Sequence, residues 1–158
     1  MIKIESLILH MPFEKQIHQT IYINAPVAKV WEVLTRPELI KLWLWENEVE
    51  VISDWQEGSE MIFKGMFHDM PYTDKGIILK LEKEKTFSYR YWSHLSQLPD
   101  SPENYQEIEF NLVPENGCTE LNLICSNTIN EPIYGHWNFY WTITLNILKK
   151  VIEPGSYS

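Results

Sequence analysis

The last long segment of the chain, residues 133–152, has the pattern of an amphipathic helix. Spacings of three and four residues place one set of side chains on a single broad face: Tyr134, Trp137, Tyr140, Trp141, Thr144, Leu145, Leu148, Val151 and Ile152. The opposite face carries the polar residues Asn138, Thr142, Asn146, Lys149 and Lys150. Because two tryptophans and two tyrosines point to the same side, this helix must lie over a thick core or over a cavity.

Most of the preceding chain alternates between apolar and polar residues, which indicates β-strands with one buried face. Residues 16–23 predict a first strand, Pro26 and Pro37 begin two short helices, and the period of two then continues to residue 126. Residues 68–74, with Pro71, are predicted to be a connection, residues 93–104 a long loop and residues 114–117 a hairpin turn. The predicted inward-facing side chains of the central strands are Met61, Phe63, Phe67, Ile77, Leu79, Leu81, Phe87, Tyr89, Tyr91, Ile108, Phe110 and Leu112.

The order of these elements predicts the fold class. One strand and two short helices are followed by six strands in hairpin succession and by the long helix. An antiparallel sheet with one apolar face needs a cover, and only the C-terminal helix is large enough. We therefore predict a single α+β domain over residues 1–158, in which residues 16–153 form the core and residues 1–14 an arm or an extra strand.

Charge and cysteine content narrow the setting of this domain. The formal net charge of −9 and the lack of a lysine or arginine cluster argue against nucleic acid and anionic membranes as partners. The apolar run at residues 7–9 is too short for a signal peptide or a membrane span. Cys118 and Cys125 would lie roughly 23 Å apart on one extended strand, too far for a disulfide. We expect a reduced, cytoplasmic protein.

Four stretches of the sequence carry motifs of a known family. They are Ile23-Asn24-Ala25-Pro26 with Val30-Trp31 and Leu34-Thr35, Pro37-Glu38-Leu39 with Trp43, residues 51–59, and the closing set Trp141, Leu145, Leu148 and Lys149. Together they resemble the START-like (SRPBCC) helix-grip superfamily, and within it bacterial homologues of the C-terminal domain of the heat-shock-protein ATPase activator. A fifth stretch, residues 91–105, is similar to a loop of one subgroup.

This resemblance implies a curved antiparallel sheet of about seven strands wrapped around a long C-terminal helix. It also implies a function, because proteins of this fold mostly hold apolar ligands. Some relatives are cyclases or dehydratases, and one branch stimulates a chaperone ATPase. Members often have glycine before the closing tryptophan, whereas this chain has Tyr140 before Trp141, and the larger side chain could fill space that others leave open.

The aromatic residues of the sheet and the last helix form the candidate site. The predicted lining of a cavity between the two layers is Phe63, Phe67, Leu79, Phe87, Tyr89, Tyr91, Phe110, Trp137, Tyr140, Trp141, Thr144, Leu145 and Leu148. Two interpretations remain open, because such residues can wall a pocket or simply fill the core. The Thr144 hydroxyl can likewise bind a ligand or donate to the carbonyl of Tyr140.

No catalytic residue, metal site or cofactor is predicted. The histidines lack metal-ligand spacing, and the neighbours Ser93, His94 and Ser96 do not by themselves make a triad. His94 is the one histidine to test, because it lies in the long loop. The charged residues fall on the outward strand faces, which disfavours acid–base catalysis.

The leading hypothesis is therefore a binding module for a small hydrophobic ligand, lipid-like or aromatic. One alternative is a protein that contacts a chaperone ATPase. The other is a cyclase- or dehydratase-like enzyme, which would need an ionisable group that projects into the pocket.

Overall fold

The computed structural model describes residues 16–44, 49–127 and 131–153. The predicted N-terminal arm, residues 1–14, lies outside the described residues. The elements, in chain order, are β1 (Gln16–Ile23), α1 (Val27–Thr35), α2 (Pro37–Trp43), β2 (Glu50–Ser53), β3 (Glu60–Phe67), β4 (Met70–Glu82), β5 (Thr86–Trp92), β6 (Gln106–Glu115), β7 (Cys118–Ser126) and α3 (Glu131–Ile152). Two short 3₁₀ turns, His94–Ser96 and Pro102–Asn104, lie in the loop between β5 and β6.

The strands form one antiparallel sheet in the order β1-β7-β6-β5-β4-β3-β2. Buried side chains from the sheet and from α3 belong to one hydrophobic core, which confirms the predicted α+β helix-grip fold. Side chains also join the edge strand β1 to α3. Gln19 Nε2 donates to Asn138 Oδ1 at 2.8 Å, and Lys149 Nζ donates to the carbonyl of Tyr22 at 2.7 Å. These contacts cover part of an edge that would otherwise be open to pairing.

Helix α3 buries the face that the sequence predicts. Trp141, Thr144, Leu145, Leu148 and Ile152 are buried. Tyr134, Trp137, Tyr140 and Val151 are partly buried against the core. Phe139 lies on the other side of the helix and is 61% exposed. No described helix is both long and apolar enough to cross a bilayer.

The centre of the core is a group of aromatic rings around Phe110. This fully buried ring stacks on Phe87 with a centroid separation of 6.1 Å. Edge-to-face contacts join it to Trp43 of α2 at 6.0 Å and to Trp141 of α3 at 5.7 Å. Phe110 therefore links the sheet to α2 and α3 through geometries that aromatic pairs favour.

In β4 the observed inward face differs from the predicted one. Ile77 is exposed, and Leu79 is only partly buried and does not belong to the core, so their inward placement is wrong. The inward-facing residues of this stretch are Tyr72, Asp74, Gly76 and Ile78. The register shifts between Ile78 and Lys80, and Leu81 then packs against the core again. Such an irregularity changes the phase of a two-residue repeat, which continuous alternation cannot reveal.

The hairpin of β3 and β4 contradicts two further predictions. Residues 68–74 are not a connection, because β4 already begins at Met70. The turn consists of His68 and Asp69, whose φ angles of 49° and 64° are those of a type I′ turn. Phe67 therefore lies beside the turn and contacts the His68 ring at 4.3 Å. It is 48% exposed, so its predicted inward placement is wrong.

Both cysteines lie on β7 and are free, as predicted. Cys118 is partly exposed, and its Sγ lies 3.3 Å from Asn24 Oδ1. Cys125 is buried, and this burial raises the pKa of its thiol to about 12. The Cys125 thiol therefore stays protonated and serves as a small apolar core group.

Replacing Phe110 by alanine should remove the ring that joins the sheet to the helices. We expect Phe110→Ala to lower the free energy of unfolding by about 3–5 kcal/mol. Val113→Ala, on the exposed side of the same strand, is the matched control and should cost less than about 1 kcal/mol. Urea unfolding followed by circular dichroism measures both. Equal losses for the two variants would contradict the central place of Phe110.

Candidate functional site

A small cavity lies between the sheet and the N-terminal half of α3. Its free space is about 20 Å³, enough for about one water molecule. The side chains that line it are mostly aromatic: Leu44, Val49, Phe63, Tyr72, Asp74, Tyr89, Tyr91, Ile108, Trp137, Tyr140 and Trp141. The aromatic side chains thus fill most of the interior and leave one small opening near the polar Asp74.

The structure brings together part of the predicted lining. The predicted residues that reach the cavity are Phe63, Tyr89, Tyr91, Trp137, Tyr140 and Trp141. The predicted residues that are buried in the core but do not line the cavity are Phe87, Phe110, Thr144, Leu145 and Leu148. Phe67 and Leu79 belong to neither group. Phe67 lies beside the exposed hairpin turn, and Leu79 lies at the irregularity in β4.

The aromatic lining is held by a series of edge-to-face contacts. The Tyr91 ring lies 5.3 Å from Phe63 and 6.1 Å from Trp137, at interplanar angles near 90°. Tyr140 lies 5.2 Å from both Trp137 and Trp141. Tyr140 thus occupies space beside the closing tryptophan. Trp137 and Tyr140 are only partly buried, so they form the solvent side of the cavity.

Tyr72 completes the wall on the side of β3. It pairs with Gly65 across the β3–β4 ladder, and its ring lies over that glycine. A Cβ atom at position 65 would be only 2.5 Å from Tyr72 Oη. The missing side chain of Gly65 is therefore what allows the Tyr72 ring to lie there.

Asp74 is the polar residue that the sequence analysis missed. Strand β4 places it on the inward face, where it is 3% exposed and lines the cavity. Tyr91 Oη donates to Oδ2, the His94 backbone N–H donates to Oδ1 at 2.8 Å, and the Ser93 side chain also hydrogen-bonds to the carboxylate. Burial raises the pKa of Asp74 from its ordinary value, while these hydrogen bonds oppose the rise. An ionisable group therefore does project into the interior.

Other buried polar atoms lack a hydrogen-bond partner among the described residues, and the Thr144 hydroxyl and the Gln106 side-chain oxygen are two of them. The expected bond from Thr144 to the carbonyl of Tyr140 is therefore not formed. Buried polar groups are normally satisfied, so both retain unused capacity for a water molecule or a ligand.

The loop at residues 93–104 is anchored to the sheet. Lys75 Nζ contacts Asp100 Oδ2 at 2.8 Å, and Tyr105 Oη donates to Asp100 Oδ1 at 2.5 Å. The exposed His94 ring stacks on Trp92 with a centroid separation of 6.4 Å, and it is the His94 backbone N–H that hydrogen-bonds to Asp74. In the described ranges, no three His, Cys, Asp or Glu side chains are grouped to hold a metal ion.

Fold and cavity together define a START-like helix-grip protein. More narrowly, the chain belongs to the family described as Activator of Hsp90 ATPase homolog 1-like protein, whose model matches residues 24–153. A comparison with curated proteins gives no match.

Solved structures support this assignment. The chain is similar to the solution structure of ChR145 from Cytophaga hutchinsonii, with 34% identity, a TM-score of 0.78, and coverage of 90% of this chain and 97% of that one. It is also similar to the Aha1 dimer from Colwellia psychrerythraea, with 25% identity, a TM-score of 0.70, and coverage of 89% and 98%. CalU16 from Micromonospora echinospora shares the fold, with 24% identity, a TM-score of 0.68, and coverage of 88% and 76%.

Removing the Tyr91 hydroxyl should destabilise the protein in a pH-dependent way. Tyr91→Phe takes a donor from the Asp74 carboxylate, so the pKa of Asp74 should rise further. We expect a loss of about 1–3 kcal/mol at pH 7, because a charged carboxylate gains most from this donor. The loss should shrink as the pH falls and Asp74 is protonated in both proteins. Urea unfolding at pH 7 and at the lowest pH at which both proteins remain folded tests this.

Tyr105→Phe is the matched control for this experiment. Its hydroxyl also donates to a carboxylate, Asp100, but that bond lies at the surface, so its loss should cost less than about 1 kcal/mol. A Tyr91→Phe effect that does not change with pH would show that the hydrogen bond to Asp74 is not its cause.

Proposed function

We propose that this protein binds a small, mainly apolar molecule, aromatic or lipid-like, between the sheet and the N-terminal half of α3. The observation that carries the proposal is the convergence of seven aromatic side chains and one buried carboxylate on a single internal cavity. Ligand sites typically combine apolar and aromatic walls with a few polar groups that orient the ligand. Helix-grip proteins of this kind commonly bind small ligands, and the family membership of the chain supports the same function.

The proposed ligand needs more room than the closed structure offers. A free space of about 20 Å³ is far below the roughly 300 Å³ of a typical small-molecule pocket. Trp137 and Tyr140 are the aromatic side chains best placed to move, because both are partly exposed, whereas the partly exposed Tyr91 is held by its hydrogen bond to Asp74. Binding would then select a more open arrangement of these two residues, at some cost in apparent affinity.

The proposed contacts follow from the position of each residue. The residues proposed to touch the ligand are Phe63, Tyr89, Tyr91, Trp137, Tyr140 and Trp141. The residues proposed to form the floor behind them are Phe87, Phe110, Leu145 and Leu148. Thr144 would supply a buried hydroxyl, since its oxygen has no hydrogen-bond partner within the described part of the chain.

A second candidate function is contact with a chaperone ATPase of the Hsp90 kind. The family description names activation of that ATPase, and one surface of this protein offers suitable side chains. The end of the β3–β4 hairpin exposes Met66, Phe67 and Met70, with Met70 68% exposed. Clustered exposed apolar side chains are typical of protein interaction sites.

Ligand binding should depend on the inward face of α3. We expect 2-naphthol or decanol to give saturable shifts in backbone amide NMR spectra of the full chain, centred on β5 and α3. Trp137→Ala should weaken binding at least about tenfold, because it removes a large ring from the cavity wall. Phe139→Ala, on the outer face of the same helix, should leave the affinity within about twofold. Absence of saturable shifts with either probe would count against the proposal.

Chaperone activation should depend on the hairpin end. If this function holds, the protein should stimulate the ATPase rate of a purified Hsp90-type chaperone. The double variant Phe67→Ser with Met70→Ser should lose most of that stimulation, since apolar anchors dominate such interfaces. Val113→Ser, an exposed apolar position on β6, is the control and should retain it. A wild-type protein that gives no stimulation would refute this function for that chaperone.

A further inference from the structure

The charge of Asp74 is unusual for its surroundings. It is 3% exposed, and the side chains that line the cavity with it are aromatic or aliphatic. Its hydrogen-bond donors are the Tyr91 hydroxyl, the Ser93 side chain and the His94 backbone N–H, all of them uncharged. The structure therefore surrounds this carboxylate with neutral donors, which can stabilise a negative charge but do not cancel it.

Among the described residues, no lysine, arginine or histidine side chain neutralises this charge directly. Within residues 16–44, 49–127 and 131–153, Asp74 forms no ion pair with a lysine, arginine or histidine. The adjacent Lys75 is exposed on the other face of the strand and pairs with Asp100. The His94 ring, unlike the His94 backbone N–H, acts on Asp74 only through space, as the smallest of the effects on its pKa. A buried charge without a counter-charge is costly, so a positive ligand group would gain from meeting it.

The aromatic lining favours a positive group as well. Trp137 stands nearly perpendicular to Tyr91 and to Tyr140, at 86° and 78°, so neighbouring rings form adjacent walls of a corner. The faces of aromatic rings attract cations, and several rings around one site recognise quaternary ammonium groups. The net charge of −9 adds a long-range attraction for cations and repels anions.

We propose that the ligand of this site is a small organic ammonium compound, with its positive head beside Asp74 and its apolar part between Trp137 and Tyr140. The inference rests on the small-molecule binding proposed above and adds the charge of the ligand. An alkylammonium head is larger than the free space of about 20 Å³, so Trp137 and Tyr140 turn outward when it enters. Asp74 then serves as the anchor that selects a cation over a neutral molecule of the same shape.

Choline and its neutral carbon isostere, 3,3-dimethylbutan-1-ol, separate charge from shape. Titrations of the full chain, followed by backbone amide NMR, give a dissociation constant for each probe. We expect choline to bind at least about tenfold more tightly than the isostere. Asp74→Asn should bring the two affinities within about twofold of each other, while Asp54→Asn, at an exposed position, should keep the difference.

The outcomes also separate this inference from the proposed function. Equal affinities for both probes in the wild-type protein, or tighter binding of the isostere, would overturn the ammonium preference and leave small-molecule binding intact. A choline preference that survives in a folded Asp74→Asn variant would overturn the role of Asp74. The wild-type comparison decides the first question even if that variant does not fold. If 2-naphthol or decanol binds but neither choline nor 3,3-dimethylbutan-1-ol does, the ammonium proposal alone is overturned. If none of these four compounds binds, both the ammonium proposal and small-molecule binding are overturned.

Discussion

The packing of the aromatic face of α3 against the inward face of the sheet is the contact on which the rest of this structure depends. The sheet has one face that must be covered, and the C-terminal helix supplies most of that cover. Phe110 shows how closely the layers are joined, because its ring contacts Phe87 of the sheet, Trp43 of α2 and Trp141 of α3. Where this packing is dense, the protein has a core. Where it loosens, beneath the first half of α3, the protein has the cavity that became the candidate site.

The sequence predicts this arrangement well where periodicity is regular. The helical repeat of residues 133–152 indicates the buried face of α3, and the residues that carry it, such as Trp141 and Leu145, are buried. Prediction fails in β4, because the register shift between Ile78 and Lys80 changes which residues face inward. Pro71 then makes the start of the strand resemble a connection. The missed signal was the alternation of Tyr72, Asp74, Gly76 and Ile78, which continues the buried face back to the turn.

The polar groups of the interior distinguish the site from an ordinary core. A core that only stabilises the fold would gain from apolar residues in place of a buried carboxylate and an unsatisfied hydroxyl. Asp74 and Thr144 are both buried, and buried polar groups that a core does not need are found at functional sites. Asp74 gives the cavity a polar inner end, and the partly exposed Trp137 and Tyr140 form its aromatic side towards solvent. Family membership establishes the scaffold, and these residues set the chemistry of its interior.

The pairing of Gly65 with Tyr72 has a consequence for how this scaffold can diverge. Because the Tyr72 ring occupies the volume that a side chain at position 65 would need, the two positions cannot enlarge independently. A protein engineer could therefore reshape one wall of the cavity from position 65, without changing any residue that lines it. In natural lineages the same coupling would let a change at one glycine alter the shape of the cavity, so that the interior would drift together with the shape of a hairpin.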